Sequence, residues 1–180
     1  MNRILLISGS TRDGSTNTAA LRTVAAFAPA DVRADLYDGL RELPAFVPGE
    51  DPDDYPAVAA LRAELAAADA VLFCTPEYAG TLPGSMKNLL DWTVGTGDLY
   101  GKPIAWLTVA VPGRGEGAVA TLSTVLGYVG AEVVERACAR LPVLGAEVDA
   151  DGLVGDPEFR ARASAVLAAL SDHLAARLEA

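Results

Sequence analysis

Ser8-Gly9-Ser10-Thr11-Arg12-Asp13-Gly14-Ser15-Thr16-Asn17-Thr18 lies between an apolar run, Ile4-Leu5-Leu6-Ile7, and a helical pattern of Leu21, Val24, Ala25 and Ala28. A buried strand that leads into a helix opens a βα unit, and a plain connection there takes about 2–6 residues. This one is longer and dense with donors. Ser8, Ser10, Thr11, Ser15, Thr16 and Thr18 carry hydroxyls, and Asn17 adds an amide. Gly9 and Gly14 have no Cβ to keep a ligand from the backbone. The helix behind the loop aims its free N–H groups and the positive end of its dipole at the same place. With Arg12 as its one cation, the loop reads as an anion-binding element rather than a solvated turn.

What the loop lacks narrows the anion. Gly9 to Gly14 followed by Ser15-Thr16 has the P-loop spacing but not its lysine. That lysine reaches the β- and γ-phosphates, so nucleoside triphosphate hydrolysis is disfavoured. The dinucleotide fingerprint needs three closely spaced glycines, and here there are two with the wrong spacing. Neutral hydroxyl and amide donors with one arginine suit a single phosphate monoester.

Outward from this loop the chain alternates strands and helices. Val32 to Tyr37 reads as a short strand at an edge. Asp38 to Pro56 is a long loop with four prolines and an acidic patch at Glu50 to Asp54, and its Leu43–Val47 segment is apolar enough to fold back on the body. A helix over 57–67 precedes Ala70 to Cys74, an all-apolar strand of the kind buried on both faces. Thr75 to Thr81, TPEYAGT, then leads through Pro83-Gly84 into a helix over 84–94 with Met86, Leu89, Leu90 and Val94 on its apolar face. Pro103 to Val111 reads as the fourth strand, Pro112 to Gly117 as a third glycine-rich loop, 118–129 as a helix and Ala131 to Ala137 as the fifth strand. Asp149-Ala150-Asp151-Gly152 lacks the further ligands of a calcium loop and reads as a turn. Pro157 to Leu178 is an amphipathic helix.

Five strands alternating with five helices predict an α/β, doubly wound, five-stranded parallel sheet with helices on both faces, in one domain over residues 1–180. Ligands bind such sheets beyond the carboxyl ends of the strands. In the order 2-1-3-4-5 the loops after strands 1, 3 and 4 are neighbours, which gathers the three unusual loops into one crevice.

Composition removes several function classes. A net charge of −10, from 24 acidic and 14 basic residues, opposes binding to nucleic acid or to an anionic membrane. No apolar run approaches the ~20 residues of a membrane span, and no basic leader precedes the first strand, so a cytoplasmic location is expected. Cys74 and Cys138 lie in separate apolar runs without metal or redox spacing, and read as buried thiols. His173, the only histidine, falls beside the apolar face of the last helix and reads as a packing or solvated residue.

Gly9-Ser10-x-Arg12-x-x-Ser15-x-Asn17 is followed by Pro76-Glu77-Tyr78-x-Gly80, Pro83-Gly84, Lys87-Asn88-Leu89-Leu90-Asp91-Trp92 and Gly101-Lys102-Pro103. Together, along nearly the whole chain, these resemble the NADPH-dependent FMN reductases of flavodoxin-like fold, a family that includes azo, quinone and chromate reductases. The resemblance implies FMN as cofactor and NADPH or NADH as hydride donor. It places Ser10, Arg12, Ser15, Thr16, Asn17 and Thr18 at the FMN phosphate. Thr75, Pro76, Glu77, Tyr78, Ala79 and Gly80 would lie along the isoalloxazine ring, with Gly113 and Arg114 contributing from the third loop. It further implies ping-pong transfer to a small acceptor (a quinone, an azo compound, a metal oxyanion or free flavin) with no side chain as proton-transfer catalyst. A homodimer or homotetramer is implied too, with Leu43–Val47 and helix 84–94 as contact segments.

Two positions depart from the family pattern. Residue 79 is Ala where Asn is common, and the third loop reads Pro112-Gly113-Arg114-Gly115 where a Gly-Gly pair is usual. Glu77 reads as a carboxylate that bonds loop amides rather than as a general base, and Lys87, Asn88 and Asp91 as capping or pairing residues. The rival from another class is a flavodoxin-type electron carrier with a protein partner, whose Thr/Ser-x-Thr-Gly-x-Thr loop is missing here. A nucleotide-binding protein without flavin is a second. Replacing Arg12 or Asn17 with Ala is expected to weaken FMN retention, measured by fluorescence titration; wild-type affinity in both variants would overturn the phosphate-loop assignment.

Overall fold

Alternation along β1 (Asn2–Ser8) decides how the sheet is covered. Ile4 and Leu6 face one side, where α1 (Thr16–Ala26) and α5 (Pro157–Leu178) supply Leu21, Val24, Leu167 and Leu170. Leu5 and Ile7 face the other, against α2 (Pro56–Ala67), α3 (Gly84–Val94) and α4 (Glu116–Tyr128), through Leu61, Leu65, Met86, Leu89 and Leu122. A strand between two helical layers must be apolar throughout, and all of β3 (Ala70–Cys74) is buried. The computed structural model describes residues 1–178.

With β2 (Val32–Tyr37), β4 (Pro103–Thr108) and β5 (Glu132–Val133), the strands pair in parallel in the order β2-β1-β3-β4-β5. Register matters more than order for the site. Ser8 stands opposite Cys74 and Phe73 opposite Trp106, so the chain leaves β1, β3 and β4 at nearly one level. The Gly9 N–H extends the ladder by donating to Cys74 O at 2.9 Å.

The fifth strand differs from the expected Ala131 to Ala137. Pairing stops after Val133, a 3₁₀ turn takes Glu135–Ala137, and a separate two-residue strand, β6 (Ala139–Arg140), pairs with β4 at Leu107 and Thr108. The cause is a spacing of three. Val134 and Ala137 are both buried; a strand would send them to opposite faces, whereas a 3₁₀ turn eclipses i and i+3. The charged Glu135-Arg136 pair then faces out. The fourth strand also ends in the ladder at Thr108 rather than Val111. Its continuation is held from the far side, Val143 N donating to Val109 O at 3.0 Å.

The long segment after β2 is pinned rather than free. Leu40 is buried within a short 3₁₀ turn, and Asn88 and Trp92 on α3 hold the following residues. Asn88 Nδ2 and Trp92 Nε1 each donate to Pro44 O at 2.9 Å, and Asn88 Oδ1 accepts from Phe46 N at 2.8 Å. Phe46 meets Trp92 edge to face at 5.1 Å. Lys87 and Asp91 pair with each other along the helix at 2.5 Å.

Other expectations resolve simply. His173 lies against Glu132 (2.8 Å), at the start of β5 and therefore at the end of the sheet remote from the three loops. Asp149 Oδ1 accepts from the N–H groups of Asp151 and Leu153, which makes that acidic segment a turn. Cys74 is buried as expected, whereas Cys138 is only partly so. Among the described residues, no helix is long and apolar enough to cross a membrane. Asn88→Ala leaves the Phe46 N–H unpaired and removes one of the two hydrogen bonds to Pro44 O, and should cost about 1–3 kcal/mol. Chemical denaturation would register this as a lower midpoint with an unchanged slope.

Candidate functional site

Gly9 passes so close to Thr75 that a Cβ built on it would lie 2.2 Å from Thr75 Oγ1. The first two loops therefore touch at their roots. Gly117, at the start of α4, is as tight against the second loop: its Cβ would fall 2.0 Å from Gly80 O. Glu77 Oε2 accepts from Ala118 N there at 3.1 Å. α4 begins at Gly115, which has no side chain to cap it, so Glu77 caps the helix from across the loops.

These contacts enclose a cleft of about 480 Å³ lined by Thr16, Asn17, Thr75, Pro76, Glu77, Val109, Ala110, Val111, Arg114, Gly115 and Val143. All three loops contribute. Ser15 caps α1, its Oγ accepting from Asn17 N at 3.2 Å. Asn17 Oδ1 accepts from Cys74 Sγ at 3.3 Å. Burial pushes the Cys74 thiol up, which keeps it a donor. With Oδ1 so engaged, the Asn17 NH₂ is left without a protein acceptor among the described residues. The N–H groups of Gly14, Ser15 and Thr16 are equally unpartnered there.

The loop residues do not all meet in this one cleft. Ser10, Arg12 and Thr18 line a second cleft of about 400 Å³ on the β2 side of the same loop, with Ser8, Arg22, Tyr37, Asp38, Leu40 and Arg41. Ser8 Oγ and Thr18 Oγ1, both lining this second cleft, are hydrogen-bonded at 2.8 Å. The expected anion cradle is thus one loop with two faces: Ser8, Ser10, Arg12, Asp13, Gly14 and Thr18 line the β2 side, and Thr16 and Asn17 line the first cleft. Three guanidiniums far apart in sequence, Arg12, Arg22 and Arg41, border the second face. Arg41 is tied to Asp13 at 2.7 Å and to Thr11 O. The Tyr37 hydroxyl, buried beside Gly39 without a partner, is pushed up to about 12 by burial and by the charges of Asp38, Glu42 and Glu64.

Tyr78, Ala79 and Gly80 form an exposed hairpin next to the first cleft. Tyr78 N donates to Thr81 O at 3.0 Å and Thr81 N to Tyr78 O at 3.1 Å. Ala79 (φ 51°) and Gly80 (φ 77°) are both left-handed, the signature of a type I′ turn, which favours Asn-Gly. An Asn at position 79 would suit this backbone, whereas alanine disfavours the left-handed conformation that Ala79 holds. Gly113 is exposed, and its N–H donates to Glu116 Oε1 at 3.2 Å.

Sequence reading missed Val109, Ala110, Val111, Gly115 and Val143 in the first cleft, and Arg22, Tyr37, Asp38, Leu40 and Arg41 in the second. Neither an apolar pattern nor scattered arginines mark a site before the chain is folded. The donor set fits a flavin mononucleotide: hydroxyls, unpaired amides and a helix N-terminus for a phosphate, beside apolar walls from Pro76, Val109, Val111 and Val143 for a flat ring.

A family model described as NADPH-dependent FMN reductase matches residues 2–142. The chain is 34% identical over 125 residues to an NADPH azoreductase of Bacillus sp. (strain OY1-2), covering 68% of this chain and 66% of that one. It is 33% identical over 106 residues to a quinone reductase of Escherichia coli (strain K12), covering 57% and 56%. The matches thus span roughly half to two thirds of those curated relatives. Among solved structures, the flavoenzyme NAD(P)H:(acceptor) oxidoreductase FerB of Paracoccus denitrificans superimposes with a TM-score of 0.76 at 25% identity, covering 96% of this chain and 99% of that one. Ala79→Asn is expected to stabilise the protein by about 1 kcal/mol by relieving the left-handed alanine; a melting temperature no higher than wild type would show that the turn is not strained.

Proposed function

The chain belongs to the NADPH-dependent FMN reductase family, and we propose that it is an FMN-dependent NAD(P)H oxidoreductase reducing a small acceptor by a ping-pong cycle. One observation carries this reading: the loops after β1, β3 and β4 line a single cleft with unpaired amide donors at one end and apolar walls at the other. When bound, FMN supplies hydride acceptance and return at its ring.

The protein's part is binding and alignment. Thr16, Asn17 and the α1 N-terminus offer neutral donors to the phosphate. Ser10, Arg12 and Thr18 border that loop from its other face. Pro76 and the Glu77 backbone form a wall for the ring, and Glu77 keeps its carboxylate on α4, where it fixes the wall. Tyr78 is about half exposed (52%) at the adjoining hairpin, and Val111 is exposed on the third loop. An open, apolar rim of this kind lets a reduced nicotinamide and an acceptor occupy the same place in turn. The acceptor class is a quinone, an azo compound, a metal oxyanion or free flavin. Residues 1–180 would act as one FMN-binding domain. We place the activity in the cytoplasm, where NAD(P)H is regenerated. The working form would be a homodimer or homotetramer, with Leu43–Val47 and α3 as contact segments.

Purified protein titrated with FMN should bind it and be bleached anaerobically by NADPH or NADH, and benzoquinone should then restore the colour. Steady-state double-reciprocal plots should be parallel. A protein that binds FMN but is not reduced without an added reductase would instead be an electron carrier, and one that binds no flavin would sink both readings.

A further inference from the structure

Arg140 does not line the cleft, yet it grips the third loop more completely than any residue within it. Nη1 donates to Ala110 O at 2.9 Å, to Val111 O at 3.2 Å and to Arg114 O at 2.8 Å. Nη2 donates to Glu116 Oε1 at 3.1 Å, the same oxygen that accepts the Gly113 N–H. One guanidinium therefore fixes both ends of a glycine-rich loop that has no regular structure of its own. Nη1 spans the two ends while Nη2 holds Glu116, so the full set of contacts uses both nitrogens of the arginine's planar fork.

The consequence follows from peptide geometry. In a trans peptide the C=O and the next N–H point in opposite directions, and the described residues contain no cis bond. With Ala110 O and Arg114 O drawn toward Arg140, the N–H groups of Val111 and Gly115 point away from it. Both residues line the cleft, and neither N–H has an acceptor among the described residues. Val111 O adds no donor of this kind, because Pro112 follows it.

We propose that Arg140 is a positioning residue for the ring end of the cleft: it turns the third loop so that the Val111 and Gly115 N–H groups are presented to the polar edge of a flavin ring. This rests on the FMN reading above. It also gives the broken fifth strand a purpose: after the 3₁₀ turn at Glu135–Ala137, β6 sets Arg140 opposite Thr108 at the end of β4.

The test separates the ring end from the phosphate end by comparing FMN with riboflavin, which lacks the phosphate. Arg140→Ala should weaken both flavins by the same factor, about tenfold or more for one or two directed hydrogen bonds. Arg140→Lys should fall between it and wild type. Asn17→Ala, at the phosphate end of the same cleft, serves as the contrast, weakening FMN and leaving riboflavin unchanged. Circular dichroism establishes that each variant is folded, and amide NMR of the wild-type protein needs no variant: riboflavin should shift the Val111 and Gly115 resonances. Wild-type affinity for both flavins in folded Arg140 variants would overturn the proposal, as would a loss confined to FMN or unmoved Val111 and Gly115 amides at saturation. If the wild-type protein binds neither flavin, the FMN reading itself fails and takes this proposal with it.

Discussion

Close approach of Gly9 to Thr75 is the contact on which the carboxyl end of this sheet depends. β1 and β3 run level to their last residues, so their loops must leave the sheet side by side, and only a residue without Cβ lets them do so. From that point the rest is constrained. The first loop must rise toward α1, and the second must pass over to α4, where Gly117 again removes a Cβ and Glu77 closes the gap. The cleft is what remains between two loops held together at their roots and apart at their tips. Its shape is set by backbone contacts at glycines more than by the side chains that line it.

Electrostatics act in the opposite sense. A chain of net charge −10 repels an anion at long range, and screening at physiological salt confines that repulsion to about 8 Å. Inside that distance the local donors decide. Asn17, Thr16 and the α1 amides lie where the helix dipole adds to them, and the nearest acidic side chain in the loop, Asp13, is drawn off by Arg41. The arginine is as much a means of removing a carboxylate from the loop as a cation in its own right. An acidic protein can in this way hold a phosphate without a cluster of free positive charge.

Much of this could be read in the sequence, for identifiable reasons. β2, β3 and α3 have the expected bounds; Ala70–Cys74 is apolar and buried at every position, whereas Val94, expected on the apolar face of α3, is exposed and Trp92 is buried instead. The three loops stood out because their donors and glycines exceed what a turn requires. The failures have one cause, which is that the deciding partner is distant in the chain. Nothing local in Ala131–Ala137 says that Val134 and Ala137 must share a face; the packing beneath them does. Nothing local marks Arg140 or Arg41, whose acceptors lie 24 to 30 residues away. The loop at Ser8–Thr18 was legible as a donor set but not as two faces, because which residues turn to which cleft is settled only in the folded loop.

The same logic places rigidity and adaptability within the site. On the proposed reading the phosphate side is built from a capped helix and buried polar side chains, Ser15 and Asn17, each with a fixed partner. On the same reading the ring side is built from loops: the second is tied to α4 by its own Glu77, which accepts from Ala118 N, and the third is steadied by the remote Arg140 on β6. A cofactor that stays bound through many turnovers needs its anchor fixed, whereas a rim that receives unlike reactants in succession must be positioned without being filled. Steadying a loop from behind meets that need. Arg140 does this for the third loop: it holds the backbone in place, its own side chain takes up none of the cleft, and the Val111 and Gly115 N–H groups are left without an acceptor among the described residues.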